Sequence, residues 1–127
     1  MRSWAVAVVA GFVGFATQAP AQTAGDPAKG QRVFNQQCRA CHTLEKGGAS
    51  TVGPNLHGVF GRKAGTAAGY EFSDAMKKSG IVWDETTMAE YNRDPKGKVP
   101  GTKMVFNGVK QPAQLADLVA YLKQATQ

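Results

Sequence analysis

The chain has 127 residues, 43% hydrophobic and 19% charged, which suits one folded domain and excludes both a disordered chain and a wholly membrane-embedded one. Fifteen Lys and Arg against nine Asp and Glu give a net charge of +6, so acidic partners or anionic surfaces are expected. Two cysteines exclude a multi-bridge scaffold, and with two histidines they exclude a pair of zinc sites.

Residues 1–21 read as a cleavable secretory signal peptide. Arg2 supplies the positive charge, Trp4 to Ala16 the apolar stretch, and Ala19-Pro20-Ala21 the small residues ahead of a cut. An uncleaved anchor is the competing reading, but the apolar stretch is short for a ~30 Å hydrocarbon core. The expectation is a single soluble domain over 22–127, exported to the periplasm.

Asp26-Pro27 opens the first helix, an N-cap acceptor followed by a proline at the first helical position. Gly30, Val33, Phe34, Cys38 and Cys41 then fall on one helical face. Two short helices follow, one from Ser73-Asp74 through Lys78, stopped by Gly80. The other runs from Asp84 to about Arg93 and stops at Asp94-Pro95. A last helix begins at Pro112 and carries Leu115, Leu118, Val119 and Leu122 at helical spacing, with Tyr121 beside them. No run alternates apolar and polar residues as a strand would.

Between Thr43 and Phe72 there is no sustained period, and seven glycines interrupt the segment. So long an irregular stretch argues against a compact all-protein core. It becomes reasonable if the segment wraps a large apolar prosthetic group, which would also supply the core that a short chain lacks.

Cys38-Arg39-Ala40-Cys41-His42 is C-x-x-C-H, the attachment signature of c-type haem. Cysteines three apart at a helix end share a face, so both sulfurs reach the vinyl groups on one side of a porphyrin. His42 then serves as proximal iron ligand. A redox-active C-x-x-C would sit beside a βαβ pattern, which is missing. Zinc could be offered Cys38, Cys41, His42 and His57, but at no usual zinc spacing. For the distal ligand the candidates are His57, Met76, Met88 and Met104. Met76 and Met88 sit in helical patterns where core packing explains a methionine. Met104 follows Val99-Pro100-Gly101-Thr102-Lys103 on a turn with no packing stripe to join, and is the expected ligand.

The chain resembles the class I c-type cytochromes. The likeness runs from Asp26-Pro27-Ala28-Lys29-Gly30 to Leu118-Val119-Ala120-Tyr121-Leu122-Lys123. It includes the segments Gly53 to Arg62, Gly80 to Trp83 and Pro100 to Phe106. It implies an all-α fold in which the N- and C-terminal helices cross and shorter helices and long loops wrap one covalently bound haem c. It implies further that Pro54 accepts a hydrogen bond from His42 and that Arg62 and Trp83 bind a haem propionate. Tyr91 and Thr102 would line the Met104 side, and Phe106 would cover the haem edge. Gly30 would let the terminal helices approach, with Phe34, Leu118 and Tyr121 at the crossing. Two positions depart from the family pattern: Phe72 stands where a propionate-binding tyrosine is usual, with Tyr70 nearby, and Met76 stands where asparagine is common.

With His42 and Met104 on the iron, the expected function is one-electron transport and not enzymatic catalysis. The competing class is a haem enzyme or gas sensor, peroxidase-like, in which Met104 dissociates. The resemblance implies a monomer that docks transiently through its lysine face (Lys29, Arg32, Lys96, Lys103, Lys110). Its partners would be membrane redox complexes: a cytochrome bc1-type donor, and a terminal oxidase or photosynthetic reaction centre as acceptor. Exported dehydrogenases are the alternative partners. Nucleic acid is not expected, because the basic residues are interspersed with acidic ones.

Overall fold

The computed structural model describes residues 24–127, so the signal segment expected at 1–21 lies outside the described residues. Helix α1 (Pro27–Gln37) begins as its sequence predicts. The Asp26 side chain accepts from the Ala28 and Lys29 amides at 2.9 and 3.3 Å. Ser73 caps α2 (Asp74–Lys78). A capping box opens α3 (Glu85–Arg93): Asp84 Oδ1 accepts from the Thr87 amide at 2.7 Å, and Thr87 Oγ1 accepts from the Asp84 amide at 2.9 Å.

One further turn, α4 (Pro95–Lys98), was not anticipated. Pro95 cannot continue α3 but suits the first position of a new helix, and Asp94 serves both, closing α3 and accepting from the Gly97 amide at 3.1 Å. The fold ends with α5 (Pro112–Ala125). Among the described residues there is no strand, only one antiparallel bridge between Lys63 and Val82.

The terminal helices cross at Gly30. A Cβ there would lie 1.9 Å from the Asp117 carbonyl oxygen and 2.7 Å from Tyr121 Cβ, so only glycine permits this approach. Gly25, which the sequence did not single out, is equally constrained, since its Cβ would meet the Ala116 oxygen at 2.0 Å. The Asp26 amide adds a 2.7 Å bond to Asp117 Oδ1. Phe34 and Tyr121 pack with ring centroids 5.7 Å apart, and Leu118 and Leu122 of α5 are buried. Each such leucine contributes roughly 1.5–3 kcal/mol by leaving water.

The glycine-rich segment forms no helix, in keeping with its lack of period, but it is not loosely held. Asn55 Nδ2 donates to Thr43 Oγ1 at 2.8 Å and to the Glu45 carbonyl at 3.0 Å, while the Leu56 amide donates to Thr43 O at 2.9 Å. The Gly58 amide donates to the carbonyl of Thr126, whose hydroxyl is turned back onto Leu122 O at 2.7 Å. The chain's C-terminal end thus ties down the loop that carries Pro54. On the return from α4 to α5, Gly108 has φ of +98°, and a Cβ would fall 2.0 Å from the Arg93 oxygen. Both facts require glycine at that turn.

Candidate haem site

These elements surround one cleft whose mouth opens to solvent. Its walls come from the end of α1, the 52–56 loop, the 62–73 segment, α2, α3 and the 102–106 loop. Apolar side chains dominate, among them Leu56, Val59, Met76, Trp83, Met88 and Leu122.

Helix α1 stops at Gln37, and Cys38 is its C-cap. The chain then makes one further turn, in which the Cys41 and His42 amides both donate to Cys38 O at 3.0 Å. That turn sets both sulfurs and the imidazole on the cleft wall. Burial, reinforced by the neighbouring Cys41, pushes the Cys38 thiol up to about 11. A thiol so reluctant to ionise is a poor redox nucleophile. Among the described residues no three His, Cys, Asp or Glu gather closely enough to hold a metal ion.

His42 Nδ1 lies 2.8 Å from the Pro54 carbonyl oxygen. A carbonyl only accepts, so Nδ1 carries the proton and Nε2 keeps its lone pair for a metal. Burial lowers the His42 pKa and the Pro54 bond opposes this only in part, which keeps the ring neutral and able to ligate. Gly53 cradles the ring, because a Cβ there would sit 2.5 Å from His42 Cε1. Sequence reasoning missed Gly53; its one signal was adjacency to Pro54.

The other candidates divide cleanly. Met76, Met88 and Met104 all line the cleft, and His57 does not. The His57 amide is capped by Asn55 Oδ1 at 3.1 Å, and its carbonyl accepts from Arg62 Nη2. Met76 and Met88 are 7% and 5% exposed and belong to the core cluster of α2 and α3. Met104 stands on an irregular loop and is partly buried. That loop is anchored by Thr102, whose Oγ1 is 2.7 Å from Tyr91 Oη and accepts from the Met104 amide at 3.3 Å. Burial raises the Tyr91 pKa, partly offset by the Thr102 contact.

Arg62 and Trp83 are brought to the same wall by reciprocal backbone bonds. The Gly61 amide donates to Trp83 O at 2.7 Å, and the Trp83 amide to Arg62 O at 3.0 Å. Phe106 lines the cleft near Met104 in sequence. Phe72 packs edge-on against Tyr70 at 4.8 Å, and Tyr70 Oη donates to Val52 O at 3.1 Å. The tyrosine beside Phe72 therefore spends its hydroxyl on a loop carbonyl. The donor set fits a covalent tetrapyrrole: two thiols, a neutral imidazole with its outer nitrogen engaged, and thioethers within one apolar cleft. The site and the helical frame define a c-type haem protein.

The family model for cytochrome c matches residues 27–126, and the chain belongs to that family. It is 51% identical over 102 residues to cytochrome c of Ginkgo biloba, covering 80% of this chain and 90% of the relative. Identity to cytochrome c of Chlamydomonas reinhardtii is 53% over 103 residues, covering 81% and 92%. With cytochrome c2 of Blastochloris viridis it is 52% over 113 residues, covering 89% and 87%. The chain carries haem c through Cys38 and Cys41 and is an electron carrier that passes electrons between redox complexes. Among the described residues no helix is long and apolar enough to cross a membrane.

Proposed function

We infer that this carrier is a periplasmic, non-enzymatic shuttle whose haem iron is held by His42 and Met104. The single observation that supports the reading is that Cys38, Cys41, His42 and Met104 line one cleft, with His42 oriented by Pro54. When bound, the haem supplies a one-electron iron couple. His42 presents Nε2, fixed by its Nδ1 bond. Met104 presents a thioether from a loop that Tyr91 and Thr102 hold in place. Were His42 and Met104 both to hold the iron, peroxide, oxygen or a substrate would find no place on it, which disfavours the peroxidase or sensor reading. Arg62 and Trp83 provide donors for a propionate that would otherwise be an unpaired buried charge. The donor would be a cytochrome bc1-type complex, and the acceptor a terminal oxidase or photosynthetic reaction centre, with exported dehydrogenases as alternatives. The stretch 1–21 supports export.

The visible spectrum of the oxidised protein tests the ligand assignment. Wild type should show the weak far-red sulfur-to-iron band. Met104→Ala is expected to abolish it, whereas Met76→Ala and Met88→Ala should keep it. Survival of the band in Met104→Ala, or a high-spin wild-type spectrum, would overturn the assignment.

Electrostatic docking has its own test. Lys103 is a poor probe of steering, because its Nζ donates to Glu71 O at 2.6 Å and lies 5.9 Å from the Tyr70 ring centroid. Charge reversal there would also unfasten the Met104 loop from the 70–72 segment. Lys110 is likewise committed, to Arg93 O at 2.7 Å. Lys96 on α4 is exposed and makes no side-chain bond among the described residues. Lys96→Glu should slow association with an acidic redox partner about threefold at low ionic strength. The rates should converge in salt near 1 M, where the Debye length is about 3 Å. A deficit of equal size at both salt concentrations would contradict steering.

A further inference from the structure

The cleft holds one buried amide that none of these roles uses. Asn92, next to Tyr91 on α3, is 8% exposed and lines the cleft together with Met88 and Tyr91. Its Nδ2 donates to the Met88 carbonyl oxygen one helical turn back, at 2.9 Å. Since that carbonyl can only accept, the bond fixes which end of the amide is nitrogen. Oδ1 accepts no hydrogen bond among the described residues, yet it is not sealed from solvent. The open space this residue lines is the cleft, so the oxygen faces it. A leucine would fill a similar volume at an apolar wall without burying a polar group, so the amide calls for a reason.

The geometry points to Asn92 as a residue that sets the redox potential: its carboxamide, pinned by Met88 O, turns the negative end of a fixed dipole to the haem cleft and favours the oxidised iron. The inference rests on the haem-binding reading above. In a low-dielectric cleft a fixed dipole acts on a neighbouring charge more strongly than in water, and haem potentials respond to buried polarity around the iron. Removing the amide withdraws stabilisation from the more positive, oxidised state, so the potential must rise.

Redox titration of the holo-protein, followed by its visible spectrum, tests this with Asn92→Leu. The midpoint should move upward, so that the oxidised-to-reduced ratio at the wild-type midpoint falls at least threefold. Covalent pigment and the far-red band should be retained. If the leucine variant does not fold, Asn92→Met, whose flexible side chain adapts to irregular space, carries the same expectation. Thermal unfolding is followed in parallel. A changed stability with an unmoved or lowered potential would show a purely structural role and overturn the proposal. Failure of the ligand reading would appear separately, as a wild-type spectrum without the far-red band.

Discussion

Replacing Cys38 and Cys41 together with serine should convert a protein that stays red through acid and organic extraction into one whose pigment washes out. The helical cross of α1 and α5 would remain as a partial scaffold, because Gly30, Phe34, Leu118 and Tyr121 pack against each other directly. The cleft would not. Leu56, Val59, Trp83, Met88 and Leu122 face it, and the 43–72 segment has no regular structure to hold it shut. Anything that binds the folded state alone stabilises it by mass action, and a covalent bond makes that contribution independent of concentration. The thermal midpoint of the double variant is expected to fall by about 10 °C or more, given 4–8 °C per kcal/mol for a domain near this size. Single Cys→Ser variants should keep pigment through the remaining sulfur. Absorbance of the precipitate after acidified organic extraction checks the first claim, and circular dichroism on heating checks the second. Pigment that survives extraction from the double variant would mean the thioether assignment is wrong.

The second large effect belongs to the crossing. Gly30→Ala would normally gain ~1 kcal/mol in a helix, so propensity alone predicts a more stable protein. The structure reverses the sign. The new Cβ would sit 1.9 Å from the Asp117 oxygen and 2.5 Å from its carbonyl carbon, and backbone atoms cannot swing aside as a flexible side chain would. The helices must separate, which breaks the Phe34–Tyr121 contact and loosens Asp26 from Asp117. Overpacking of this kind costs about 3 kcal/mol, and Gly30→Val should cost more. Denaturant unfolding of the holo-protein, with an unchanged slope, checks it. A neutral or stabilising Gly30→Ala would show that the crossing is softer than these distances require.

The two Gly30 effects illustrate what a sequence shows and what it withholds. That glycine inside an otherwise regular helix asks for a close approach is visible in one dimension; that the approach is to the Asp117 carbonyl is not. The same holds for α4. Pro95 was legible as a stop for α3, but only the folded chain shows it starting a new turn, because Asp94 serves two helices at once.

At the site, C-x-x-C-H carries its own meaning, since covalent attachment depends on two sulfurs and an imidazole that are neighbours in the chain. That Met104 stands on a loop and not in a helix was legible from its lack of a helical register. The long-range partners were not: Gly53 beneath His42, Asn92 in the cleft, the Thr126 carbonyl holding Gly58, and Tyr70 spent on Val52. None of these pairs has a local pattern to announce it.

By itself, then, the sequence determined where four of the five described helices start and the attachment chemistry, because capping residues, period and the cysteine spacing act over a few residues. Only the tertiary structure decided that Lys103 and Lys110 are committed to backbone carbonyls while Lys96 is not. It alone decided that His57 does not line the cleft, and that an asparagine does. The physical reason is that a side chain's partner is chosen by the whole fold's geometry, while a helix end is chosen by its own neighbours.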